Sequence, residues 1–174
     1  MAVNRLALMD IALVRVDNRL VHGQILEAWV PYCQAGCIIV VDDHVASDFF
    51  RETVIKMAVP REIDVVITSV EDFTRYHLQS KQGRRTIVLF SEVADAVTCY
   101  KNGFIFEHLN IGNVHNEDCV KECSPSVLLG TTDIESILYL VASGVKVELQ
   151  RIPREKPMNV TEILPAPGPQ NVSR

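Results

Sequence analysis

Hydrophobic residues in this chain gather in short runs at 11–16, 37–41, 64–68, 86–90 and 109–111. Each run is too short for a helix and too apolar for a surface strand, so each reads as a strand buried on both faces. Between the runs, apolar residues return at helical spacing. Val21, Ile25, Leu26, Trp29 and Val30 predict a helix over 21–32, with Pro31 bending its last turn or ending it early. Ser47 or Asp48 caps a second helix, which carries Val54 and Met57 and stops before Pro60. Ser69, with Asp72 three residues on, opens a third that runs to about 79, before a basic turn at 81–85. Ser91 caps a fourth over 92–101, closed by Asn102-Gly103.

A polar loop is expected over 112–126, then a short sixth strand at 127–129. The clearest amphipathic helix follows Thr132, with Ile134, Ile137, Leu138 and Val141 on one stripe. Val145, Val147 and Leu149 then alternate with Lys146, Glu148 and Gln150, the pattern of a half-exposed edge strand. Alternation of strand and helix predicts a single-domain α/β fold: an open, mostly parallel twisted sheet of about six to seven strands with helices on both faces. Residues 1–10 read as an N-terminal extension and 11–152 as the domain. Five of the eight prolines lie in 153–174, which predicts a mobile tail.

Composition narrows the function. The net charge of −5 and dispersed basic residues argue against nucleic-acid binding. No apolar run approaches the twenty or so residues of a membrane span. Asp10 interrupts the apolar N-terminal stretch, so a cytosolic protein is expected rather than one with a signal peptide. The odd count of five cysteines does not suggest a disulfide framework. Cys33/Cys37 and Cys119/Cys123 are spaced too loosely for a usual zinc signature, so no metal is expected.

Candidate chemistry concentrates between the first strand and the first helix, in Arg15-Val-Asp17-Asn-Arg19-Leu-Val-His22-Gly23-Gln24. In an open α/β sheet such a junction faces the ligand crevice, and the helix-start amides favour an anion. Arg15 and Arg19 can grip phosphate oxygens in bidentate fashion. His22 is then either a further phosphate contact or the carrier of a phosphoryl group. Asp17 has two candidate roles: orienting Arg19, or accepting a proton from a ring nitrogen of His22 and fixing its tautomer. Gly23 lets the backbone pass close to phosphate oxygens or simply eases the turn. Of the other histidines, His77 reads as a surface residue and His108 as structural. His44 and His115 follow strands and could line the same crevice. The absence of a Gly-x4-Gly-Lys-Ser/Thr run argues against a nucleotide kinase. The lack of Gly-x-Gly-x-x-Gly argues against a dinucleotide-binding domain.

This ten-residue window resembles the histidine loop of the IIB subunits of the mannose/fructose/sorbose family of bacterial sugar phosphotransferase systems. Nine positions of defined type match: Arg15, Asp17, Asn18, Arg19, Leu20, Val21, His22, Gly23 and Gln24. The likeness continues through Cys37–Asp43, Met57–Pro60, Leu109–Gly112 and Gly144–Glu148, covering roughly 12–152. It implies a protein-N(pi)-phosphohistidine–sugar phosphotransferase with a covalent phospho-His22 intermediate and no cofactor. The implied donor is a IIA phosphohistidine protein or domain, and the implied acceptor is a sugar presented by membrane subunits IIC and IID. The implied location is the cytoplasm, peripheral to the inner face of the membrane through IIC/IID.

On this reading His22 is the phosphoryl acceptor and donor, Asp17 orients, and Arg15 and Arg19 stabilise the phosphate. Gly23, Gln24, Gly112 and Asn113 are phosphate-loop candidates, with Thr131 and Thr132 as weaker ones. Asn113 stands where the family often has a second glycine, and the proline-rich tail is an addition. A different class of function is a regulatory phosphoryl acceptor in an incomplete system without sugar transport. The sugar and the oligomeric state, a homo-oligomer included, are left open.

Overall fold

The computed structural model describes residues 10–76 and 84–164. His77, most of the basic turn and Pro165–Pro169 of the tail lie outside the described residues. The chain runs β1 (Ile11–Asp17), a π-helical turn (Ile25–Trp29) leading into α1 (Val30–Cys33), β2 (Cys37–Val41), α2 (Asp43–Ala46) and α3 (Phe49–Ala58). It continues through β3 (Asp64–Thr68), α4 (Val70–Tyr76), β4 (Thr86–Phe90), α5 (Val93–Lys101) and β5 (His108–His115). Last come β6 (Lys121–Ser124), β7 (Val127–Leu129), α6 (Thr131–Ala142), β8 (Lys146–Leu149), β9 (Met158–Asn159) and a 3₁₀ turn (Val160–Glu162).

These strands form one nine-stranded sheet, ordered β3-β2-β4-β1-β5 and then forked. Residues 108–111 of β5 pair with β8, while Val114 and His115 pair with β7, all in parallel. β6 joins β7, and β9 joins β8, in antiparallel fashion. The two-residue period of a strand divides the core between the faces. Ile39, Val41, Val88 and Phe90 meet Phe73, Ala96, Ile137 and Leu140 from α4, α5 and α6. On the opposite face, Ile38, Val40, Ile87 and Leu89 meet Ile25, Trp29, Val30 and Val59. At 25 cal/mol per Å², each buried side chain of this size contributes roughly 1.5–3 kcal/mol, and the alternation spreads that gain over both layers.

The topology positions the site. After β1 the chain leaves toward one face, whereas after its neighbours β4 and β5 it leaves toward the other. Crevices therefore open beside the carboxyl end of β1, the usual ligand position in such sheets.

Several sequence expectations are corrected. The polar stretch 112–126 is not all loop, because β5 runs on to His115 and Lys121–Ser124 pairs at the sheet's periphery. Peripheral strands bury little, so they lack the apolar run that reveals a central strand. β8 is not an edge strand, since Glu148 and Leu149 pair with β9. The segment 153–164 is not a free tail either: it carries β9 and buries Val160 and Leu164 in the core. Ser91 does not cap α5; its hydroxyl instead donates to the Asp42 carboxylate. Pro31 acts through the wider π turn before it, which accommodates a ring that would crowd an α-helical carbonyl.

Candidate functional site

Arg15 and Asp17 are two residues apart on β1, so both side chains point under the π-helical turn. Both are fully buried. The Arg15 guanidinium lies 5.1 Å from the centre of the Trp29 ring. It donates to the carbonyls of Gln150 at 2.8 Å and Arg151 at 3.1 Å, to Asp17 Oδ2 at 3.0 Å, and to Asn110 Oδ1. Trp29 Nε1 donates to the same Arg151 carbonyl at 3.1 Å. The space for this cation exists because residue 112 is glycine: a Cβ there would overlap the guanidinium. Arg15 Nε has no partner among the described residues.

The Asp17 carboxylate accepts from Arg15, from His22 Nε2 at 3.0 Å, and from Arg19 three times. Those three are the Arg19 amide at 3.2 Å, Nε at 3.1 Å and Nη2 at 3.2 Å. Burial alone would raise its pKa. Hydrogen bonds from His22 and Arg19, with the positive charge of Arg15, outweigh burial and hold it at about 2. The group is a fixed anion under an otherwise cationic loop.

Tight backbone turns return the loop over this carboxylate. The Leu20 amide donates to the Asp17 carbonyl at 2.8 Å, and Leu20 takes a left-handed φ of +55° while burying its side chain. Asn113 braces the outgoing end: its carbonyl accepts the Asn18 amide at 3.0 Å, and its side-chain amide donates to Asn18 Oδ1. The His22 carbonyl then accepts the amides of Ile25 and Leu26 at 3.0 and 3.1 Å, which starts the helix. As the first two helical residues, Gly23 and Gln24 have no intrahelical acceptor for their amides. Gln24 Oε1 also receives Arg19 Nη2 at 3.2 Å.

His22 is 17% exposed and Arg19 42%. With Nε2–H donated to Asp17, the neutral imidazole carries its lone pair on Nδ1, which bonds to no described residue. Arg19 Nη1 is likewise free of described partners. A half-exposed guanidinium, helix-start amides and a nucleophilic nitrogen thus share one surface. That combination suits a tetrahedral anion transferred to the ring.

The structure alters several expected roles. Arg15 is sealed beneath the loop and holds Asp17 instead of facing a phosphate. Gly112 serves the Arg15 side chain, and Asn113 ties down Asn18. Thr131 and Thr132 open α6 and make no hydrogen bond to this network, and neither do His44 or His115. Sequence reasoning missed Asn110, Trp29 and the carbonyls of Gln150 and Arg151. Asn110 left a trace, a polar residue inside an apolar strand. Carbonyls contributed by a distant turn leave none. Among the described residues no group of three or more His, Cys, Asp or Glu could hold a metal ion. No described helix is long and apolar enough to cross a membrane.

Two clefts flank Arg19. One, of about 560 Å³, is lined by Gln24, Asn113, Ser124, Ser126, Arg151 and Lys156 along with Arg19. The other, of about 210 Å³, lies between Arg19 and Leu20 on one side and Phe50, Arg51, Val54 and Ile55 of α3 on the other.

The open α/β sheet thus places, at its switch point, a histidine held by a buried carboxylate beside the half-exposed guanidinium of Arg19, the arrangement of an anion-binding α/β protein. Comparison with known proteins narrows this. Residues 11–171 match the family described as the PTS system sorbose subfamily IIB component, and the chain belongs to that family, the IIB subunits of the mannose/fructose/sorbose sugar phosphotransferase systems. It is 31% identical to the PTS system fructose-specific EIIB component of Bacillus subtilis, over 90% of this chain and 97% of that protein. It is 26% identical to the PTS system mannose-specific EIIAB component of Escherichia coli, over 90% of this chain but 49% of that protein. The crystal structure of the IIBSor domain of the sorbose permease from Klebsiella pneumoniae superposes with a TM-score of 0.81 at 30% identity, covering 88% of this chain and 95% of that one.

Proposed function

We propose that His22 Nδ1 accepts a phosphoryl group from a phosphohistidine on a IIA protein and passes it to a sugar hydroxyl during uptake through IIC and IID. The observation that carries this reading is the 3.0 Å contact between His22 Nε2 and the buried Asp17 carboxylate. It commits the ring to one tautomer and leaves Nδ1 as the nucleophile. In the first step the P–N bond to the donor breaks as the bond to Nδ1 forms. In the second, the Nδ1–P bond breaks as a P–O bond to the sugar forms, with release of the hydroxyl proton.

Arg19 and the amides of Gly23 and Gln24 meet the equatorial oxygens, where charge must be neutralised. Asp17 stabilises the ring while it bears positive charge, and Arg15 keeps Asp17 in place. Such a carrier works at the cytoplasmic face of the membrane, next to the permease subunits. The name of the mannose-specific EIIAB relative, which joins A and B components, agrees with a IIA donor.

Intact-protein mass spectrometry after incubation with phosphoenolpyruvate, the general phosphotransferase proteins and a IIA protein tests the proposal. Wild type should gain one acid-labile phosphoryl group and His22→Ala none. Equal labelling of the variant would move the acceptor to another residue and overturn the assignment.

A further inference from the structure

α3 is a helix with no buried residue. Phe50, Val54 and Met57 recur at helical spacing on one stripe, with Phe49 beside them. They are 76%, 50%, 80% and 84% exposed, respectively. Isolated exposed apolar residues are ordinary, but four on one short helix form a patch of the kind that marks an interaction site. This patch runs directly into the site, because the smaller cleft has Phe50, Arg51 and Val54 on one wall and Arg19 on the other.

We infer that this face of α3 is the docking surface for the loaded phosphohistidine donor protein, with Phe49, Phe50, Val54 and Met57 as its apolar core and Arg51 as its charged contact. The inference rests on the phosphocarrier reading above. In-line transfer brings the donor phosphorus to within about 3–3.5 Å of the accepting nitrogen. A donor that reaches His22 therefore covers the ground around it. A standard interface takes about 800 Å² and about 20–30 residues per partner, more residues than the His22 loop contains.

Charge selects the donor over other occupants. The Arg51 guanidinium has no carboxylate partner among the described residues. A loaded donor brings the dianionic phosphoryl group on its surface, whereas a sugar-bearing acceptor brings a neutral hydroxyl. A second copy of this chain, docked symmetrically through the patch, would set Arg51 and Arg19 against their own equivalents.

The test compares wild type with F50S/M57S and with Arg51→Ala. All three side chains are outside the core, so the fold should persist. Phosphoryl transfer to His22 is timed from the phosphorylated IIA protein of the same system, and separately from phosphoramidate, a small P–N donor that needs no docking surface. The expected result is a drop of tenfold or more in kcat/KM with the IIA protein for F50S/M57S, carried by KM, and unchanged labelling by phosphoramidate. Arg51→Ala should lower the association rate and flatten its dependence on ionic strength. Wild-type kinetics with the IIA protein in both variants would overturn the docking assignment while leaving the carrier reading intact. Loss of phosphoramidate labelling in F50S/M57S would also overturn it, by showing damage to the site itself. Failure of wild type to accept phosphoryl from either donor would instead sink the carrier reading, and the docking surface with it.

Discussion

Asp17 is the residue on which the others converge. It accepts five hydrogen bonds from three side chains and one amide while fully buried. Two of those side chains are permanent cations and the third is His22. Replacing Asp17 with Asn keeps the shape but removes the charge that fixes the ring tautomer. Phosphoryl transfer to His22 in Asp17→Asn should fall by roughly 10²–10⁴, as for other histidines that lose an orienting carboxylate. The change also leaves Arg15 buried without a counter-charge, at a cost of about 3 kcal/mol. Urea unfolding separates the two effects: His22→Ala should lose transfer with little loss of stability, and Asp17→Asn should lose both. An Asp17→Asn protein that transferred at the wild-type rate would leave Asp17 a structural role only.

At the scale of elements, the site is a product of neighbouring strands. β1 supplies Arg15 and Asp17, and β5 supplies Asn110 and the gap at Gly112. The turn after β8 supplies two carbonyls, and is itself held by Gln150 Nε2, which donates to the Glu155 carbonyl at 2.8 Å, and by the Arg151–Glu155 pair. Three chain segments must therefore be in register before the Arg15 guanidinium gains these partners. Gly112→Ala tests this coupling. The added methyl group meets a cation that is pinned on several sides, so stability should fall by about 1–3 kcal/mol as in other overpacked cores. Transfer to His22 should slow as well, since Asp17 must shift with Arg15. A urea midpoint equal to that of wild type would mean that the guanidinium has an alternative resting place.

At the scale of the whole molecule, Asp95 is an ionisable group whose surroundings oppose the native state. Burial and the neighbouring negative charges of Glu92, Asp43 and Asp42 raise the Asp95 pKa to about 6, only partly offset by His44. In the unfolded chain the group titrates near 3.8. The native state therefore binds the extra proton between these values, and stability falls as pH rises through that window. Asp95→Asn should stabilise the protein by about 1–2 kcal/mol above pH 6, after allowance for solvent screening, and by almost nothing below pH 4. Thermal melts of both proteins across this range check the sign. A constant difference in Tm would exclude titration of Asp95 as the cause.

The apolar runs by themselves determined β1 to β4, because central parallel strands are buried on both faces and need continuous hydrophobic sequence. The ten-residue window also exposed the histidine with its aspartate and arginines, since these residues are local and their chemistry is unusual in combination. Peripheral pieces such as β6 and β9 were not legible, as their pairing is made by backbone groups that every residue carries. Only the tertiary structure decided that Arg15 lies buried beneath the loop rather than exposed on it, and that Asp17 faces Nε2 and so leaves Nδ1 free. Strand period puts Arg15 and Asp17 on one face, but which face is buried depends on a helix, a glycine and a turn brought together from across the chain.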